Sequence, residues 1–162
     1  MNIIFSILIS LSFQSQFINV EKRMLKKAES FRKEDFPTLS IEQIYIYEGV
    51  YETKKDFRPI FPKLEETGNH KEFLYFYNNG KVMFFVAKDI EDAYFDINQK
   101  TNDYNAVIVK KNDEIILYRK QGFHSILGLM GGTGIYKQYL KIINNKIYIQ
   151  EKNRCYIYSS LK

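Results

Sequence analysis

Tryptophan is absent, cysteine occurs once, histidine twice and proline three times in 162 residues. One thiol excludes an intrachain disulfide, so the core must hold the fold without a covalent staple. Two histidines far apart, His70 and His124, and the single Cys155 leave no zinc-ligand spacing. Positive charge is only mildly in excess: 24 Lys+Arg against 19 Asp+Glu give a net charge of +5, spread along the chain. The one cationic cluster, Lys22, Arg23, Lys26, Lys27, Arg32 and Lys33, is interleaved with Glu21, Glu29, Glu34 and Asp35. It reads as a solvated helix face, and no nucleic-acid partner is expected.

What is abundant is aromatic: 13 Tyr and 13 Phe within a 45% hydrophobic composition. That is ample for one core in a chain of single-domain length. Tyrosine packs its ring while keeping its hydroxyl wet, which suits a small sheet protein with exposed faces. Three segments are written as hairpins: Phe73–Phe85, Ala106–Tyr118 and Tyr139–Ile149. Each holds two β-branched or aromatic runs about a polar turn, with Asn78-Asn79-Gly80, Lys111-Asn112-Asp113 and Asn144-Asn145 as the turning residues.

Met1–Gln16 (MNIIFSILISLSFQSQ) is apolar and without a charged side chain, and it ends in small and polar residues. It is expected to be a signal peptide, too short for a comfortable membrane span. The mature protein is then exported to the periplasm or the exterior, with no stable membrane insertion. Residues 17–40 are expected to be a helical segment and linker. Val20, Met24, Ala28 and Phe31 fall on one helical face that packs on the sheet or across its end, and Asp35-Phe36-Pro37 ends the helix. From Ile41 to Lys162 the pattern is strands. Gly49 within Ile41–Thr53 marks a bulge or close backbone approach. Lys54–Lys71 and Gln121–Gly134 are expected to be long loops, the second holding five of the eight glycines. Ala93–Ile97 reads as a short strand, and Cys155, in Arg154–Tyr158, as a buried inert thiol on a closing strand. The resulting fold class is all-β: an up-and-down antiparallel meander of about eight strands closing into a barrel, with a short N-terminal helix.

Gly49-Val50-Tyr51-Glu52, the hairpin Phe76-Tyr77-Asn78-Asn79-Gly80-Lys81-Val82, Gly134–Ile143 and the closing Cys155–Tyr158 strand resemble small exported bacterial lipocalin-like (calycin-type) domains. In that resemblance Gly49 and Tyr51 stand in place of the Gly-x-Trp that opens the first lipocalin strand, and Thr101-Asn102-Asp103-Tyr104 faintly echoes the second signature. Arg154 becomes the basic residue expected over the first-strand aromatic. The resemblance implies a binding protein with an interior site.

Catalytic signatures were sought among the remaining residues. Asp89, Glu91, Asp92 and Asp96 lack the glycine-turned calcium-loop spacing and read as a solvated turn. His124 and Ser125 lack the nucleophile elbow. Gly128–Gly134 lacks the Gly-Lys-Ser/Thr of a phosphate loop and runs into a strand pattern. The expectation is therefore a protein that binds rather than catalyses, without cofactor or metal. It would hold a small apolar ligand inside, lined by Phe73, Tyr75, Phe84, Tyr136 and Leu140. Ile126, Leu129 and Met130 would form a lid or partner contact. The alternative is a protein-interaction module, such as an immunity or inhibitor protein for a secreted toxin or hydrolase. That module would bind through Phe57–Asn69 or Gly122–Gly134.

Overall fold

The computed structural model describes residues 19–54, 57–60, 71–99, 103–124 and 131–161. The expected signal peptide and the expected lid, Ile126, Leu129 and Met130, lie outside the described residues.

Helix α1 spans 19–28. The strands follow as β1 (Ile44–Glu52), β2 (Lys71–Phe76), β3 (Lys81–Ala87), β4 (Ala106–Lys111), β5 (Glu114–His124), β6 (Gly131–Ile143), β7 (Lys146–Glu151) and β8 (Arg154–Ser160), with helix α2 (Ile90–Gln99) between β3 and β4. The eight strands run β1 to β8 in sequence order and close into a barrel. Closure is an antiparallel ladder from Tyr45↔Ser160 to Glu52↔Arg154. It carries a register shift between Tyr47 and Gly49, where Gly49 takes φ 148°. The extra residue bends β1 and keeps both Tyr47 and Val50 opposite inward-facing β8 residues, Tyr158 and Tyr156. Glu48, displaced to the outside by the bulge, accepts hydrogen bonds from Lys146 Nζ at 2.7 Å and from Ser159 Oγ.

Alternation divides the apolar residues into three sets. The lumen holds Tyr45, Leu74, Phe76, Val82, Phe84, Ala106, Ile108, Leu117, Leu140, Ile147, Ile149 and Tyr158, contributed by every strand. Outside, α2 lays Ala93 and Ile97 over Ile44, Phe73, Met83 and Phe85. Also outside, α1 lays Val20 and Met24 on Val107, with Ala28, Tyr118 and Ile135 alongside. The helical stripe read from the sequence therefore does two jobs. Its first residues pack on the sheet, and Phe31 crosses the barrel end. There Phe31, Phe36 and Leu39 join the lumen core, with the Phe31 and Phe36 rings stacked at 5.3 Å. The segment is tied down by Tyr45, whose hydroxyl donates to Ser40 O at 3.1 Å, and by Glu42 N, which donates to Phe76 O at 2.8 Å. This end of the barrel is closed.

Three expected elements differ. The N-terminal helix stops at residue 28 instead of running to Asp35-Phe36-Pro37, and Lys33–Asp35 forms a separate 3-10 turn. Ala93–Ile97 is not a strand but the middle of α2. Asp89 caps this helix by accepting from Asp92 N at 3.0 Å, and Glu91 and Asp92 occupy its first turn, where carboxylates meet the positive end of the helix dipole. That is the role of the acidic cluster. The expected loop Gln121–Gly134 is in part strand: β5 and β6 continue pairing from Gln121↔Gly134 to His124↔Gly131. Glycine lacks a side chain to pack but keeps its backbone donor and acceptor, so the ladder extends through it.

Gly80, at φ +77°, turns β2 into β3, and a Cβ there would lie 2.5 Å from Phe31 Cβ. Gly80→Ala is expected to cost about 1–3 kcal/mol in urea unfolding, from the left-handed backbone and the clash together. In a Phe31→Gly background, which removes that Cβ together with the ring, the clash share disappears, so the added cost of Gly80→Ala falls to the backbone share alone. A double-mutant cycle measures this non-additivity.

Candidate functional site

The open end of the barrel differs in character from the closed one. Here the inward positions of successive strands become polar: Glu72 on β2, Arg119 on β5, Gln138 on β6 and Glu151 on β7. They line a cavity of about 410 Å³ whose apolar surfaces come from Phe84, Ile149, Tyr156 and Tyr158. The strands place these side chains by parity alone. Leu117↔Gln138 and Leu140↔Ile149 are register pairs on the lumen side, and Arg119 and Glu151 lie two residues further toward the mouth.

Each polar group has a defined environment. Tyr158 Oη donates to Glu72 Oε1 at 2.5 Å. Burial pushes the Tyr158 phenol well above its ordinary value, and the Glu72 carboxylate adds to the shift. Tyr158 therefore stays a neutral donor. Gln138 is 2% exposed. Its Nε2 donates to Glu151 Oε2 at 2.6 Å, while its Oε1 is a buried acceptor with no hydrogen-bond partner. The Arg119 guanidinium lies 3.9 Å from the Phe84 ring centroid, and no carboxylate of the described residues forms an ion pair with it. Lys120, next in sequence, also borders the cavity, and its ammonium reaches Glu21 at 4.0 Å.

The wall beside this cavity is held in an unusual way. Strands β3 and β4 share only the register pairs Lys81↔Val107 and Val82↔Ala106. Beyond them the Asn105 side chain takes over the ladder: Phe84 N donates to Asn105 Oδ1 at 2.8 Å and Asn105 Nδ2 donates to Phe84 O at 2.7 Å. A primary amide presents the same donor and acceptor pair as a peptide unit, so it continues the sheet where the backbone cannot.

The expected interior residues divide. Phe84 and Leu140 are in the lumen, and Phe84 lines the cavity. Tyr136 has the inward parity of Gln138 and Leu140 but sits toward the mouth, 38% exposed. Phe73 and Tyr75 are corrections: both belong to the outer face beneath α2, with Phe73 stacked on Phe85 at 5.5 Å. The register Phe73↔Phe85 and Leu74↔Phe84 sets this parity. The lumen residues are Leu74 and Phe76. The lining is also more polar than the expected apolar interior. The sequence reading passed over Glu72, Arg119, Gln138 and Glu151. Their signal was present as polar residues at every second position of otherwise apolar strands, in phase with the inward residues.

The positions carrying the family resemblance are placed differently too. Gly49 is the sixth residue of β1 rather than its start. Tyr51 is buried and bonds through its hydroxyl to Phe57 O at 2.7 Å. Arg154 is exposed and pairs with Glu52, not with Tyr51. No protein-family model matches the chain, and neither does any curated protein or solved structure.

Cys155 is buried and pairs with Tyr51 and Gln150, on the parity opposite to Tyr156 and Tyr158 and so away from the cavity. Burial pushes its thiol up to about 11 from 9.0. At pH 8 the thiolate fraction is then about 100-fold below that of an unburied thiol, and alkylation by iodoacetamide is expected only at the rate of unfolding. Because the folded thiol ionises at higher pH than the unfolded one, its contribution is complete below about pH 9 and is lost as pH rises toward about 11. Alkylation followed by mass spectrometry across urea concentrations checks the first point. Urea midpoints between pH 8 and 11 check the second.

Proposed function

We propose that this chain is a non-catalytic binding protein that holds a small polar ligand in the mouth of its barrel. The reading rests on Gln138, which lines a cavity of about 410 Å³ and whose amide carbonyl is buried without a hydrogen-bond partner. An unsatisfied buried acceptor costs about 1–3 kcal/mol, a cost removed when a ligand supplies the donor. The surrounding groups favour binding over bond breaking. Glu72 and Glu151 each accept a hydrogen bond from a neutral donor, Tyr158 and Gln138, and the one thiol faces away and stays protonated. The closed end of the lumen is filled by side chains, so the ligand is confined to the mouth. Such a binding role also fits the expected exported, lipocalin-like character of the chain, which stays part of the proposal.

A second reading, the protein-interaction module, draws on a different feature. Val86, Tyr94 and Phe95 expose large apolar side chains on and beside α2, Phe95 being 64% exposed. Solvent-facing rings on a helix whose opposite side is already packed are the kind of surface a protein partner covers.

Incubation with a polar small-metabolite extract, followed by desalting and native mass spectrometry, tests the first reading. A discrete bound species is expected on the native protein. Gln138→Leu is expected to weaken retention about tenfold or more while changing the melting temperature little, since losing the hydrogen bond to Glu151 offsets the removal of an orphaned carbonyl. A protein that retains nothing, or a variant that retains the ligand unchanged, would overturn the proposal.

A further inference from the structure

We infer that the ligand of the barrel mouth is a small zwitterion, carrying an ammonium group and a carboxylate a few bonds apart, as a free amino acid does. This rests on the mouth being the binding site and adds the chemistry of what it takes.

The inference comes from charges that are assembled but not paired. Glu72, Arg119 and Glu151 line one cavity, yet none of them forms an ion pair with another. Each is supported by a neutral or aromatic group: Glu72 by the Tyr158 hydroxyl at 2.5 Å, Glu151 by the Gln138 amide at 2.6 Å, and Arg119 by the Phe84 ring at 3.9 Å. Such supports orient the charges without neutralising them. Charges of both signs withdrawn partly from water and held apart are unfavourable until an occupant bridges them. A cation would leave Arg119 unanswered, and an anion would leave both carboxylates.

The unpartnered Gln138 Oε1 fixes which end goes where. Through its Nε2, Gln138 is bonded to Glu151, so two linked side chains of neighbouring strands carry an unpartnered carbonyl and a carboxylate. An ammonium offers three donors and suits two such acceptors at once. Arg119, on the neighbouring strand, offers a planar fork matched to a carboxylate. Its stacking on Phe84 leaves the edge of the guanidinium, where the N–H groups point, for the ligand. The volume of about 410 Å³ accommodates an amino acid with its water.

The test uses the intact protein and three sets of probes: the standard L-amino acids, their amides, which keep only the ammonium, and their N-acetyl derivatives, which keep only the carboxylate. Binding is read from the Gln138 side-chain amide signal in a proton–nitrogen correlation spectrum. At least one amino acid is expected to shift that signal and to bind about tenfold or more tightly than both of its capped forms. Arg119→Gln is expected to lower amino-acid affinity about tenfold while leaving the amide form within about twofold, and Arg119→Lys to restore only part of the difference, since it keeps the charge and loses the fork. Capped forms that bind as well as the parent would overturn the zwitterion and leave the mouth site standing. If none of the three sets moves the Gln138 signal, the zwitterion is likewise overturned. The mouth site itself falls if the metabolite extract also leaves nothing bound, or if Gln138→Leu retains the bound species unchanged.

Discussion

The ladder between β1 and β8 removes both edges of the sheet, and the remaining features follow from that closure. An open eight-strand sheet would present two rows of unpaired backbone groups. Closing it creates an inside and an outside that side chains must fill differently. The bulge at Gly49 makes the closure possible. It absorbs one residue of β1 and bends the strand, so that inward side chains stay inward on both sides of the shift. Glu48, the residue turned outward there, ties the outer surfaces of β7 and β8 to β1 through Lys146 and Ser159.

A closed ring this small cannot leave its wall bare. The apolar residues of β2 and β3 alternate between two buried environments, the lumen and the underside of α2. The outer face of β4 to β6 is covered in the same way by α1. The barrel is thus a three-layer object in places, and its helices are structural parts of the wall. At one end the chain doubles back to seat Phe31, Phe36 and Leu39 in the lumen. At the other end the inward positions turn polar.

Much of this was legible in the residues. Turn chemistry located the hairpins: Asn112, Asn144 and Asn145 adopt the positive φ that tight turns demand. Gly49 announced its irregularity. What could not be read was which face of β2 looks inward. Phe73, Leu74, Tyr75 and Phe76 form an uninterrupted apolar run, and alternation is silent when both faces are buried. The missing information was α2. Its apolar residues Ala93, Tyr94, Phe95 and Ile97 are bunched closely enough to resemble a strand, and as a strand they would leave the outer face of β2 and β3 exposed to water. The candidate site was hidden for a related reason. Glu72, Arg119, Gln138 and Glu151 are scattered over four strands, and only the register brings them to one rim.

The seam at Asn105 has a consequence for how the molecule moves. A wall joined by two register pairs and one side-chain amide separates more easily than one joined by ten, as β5 and β6 are. Local opening follows the path of fewest backbone bonds. That path runs beside Phe84 and Arg119, two residues of the cavity rim. Fluctuations of the wall are therefore expected to begin at this seam, beside the rim of the cavity. The amide that closes the seam serves as its latch.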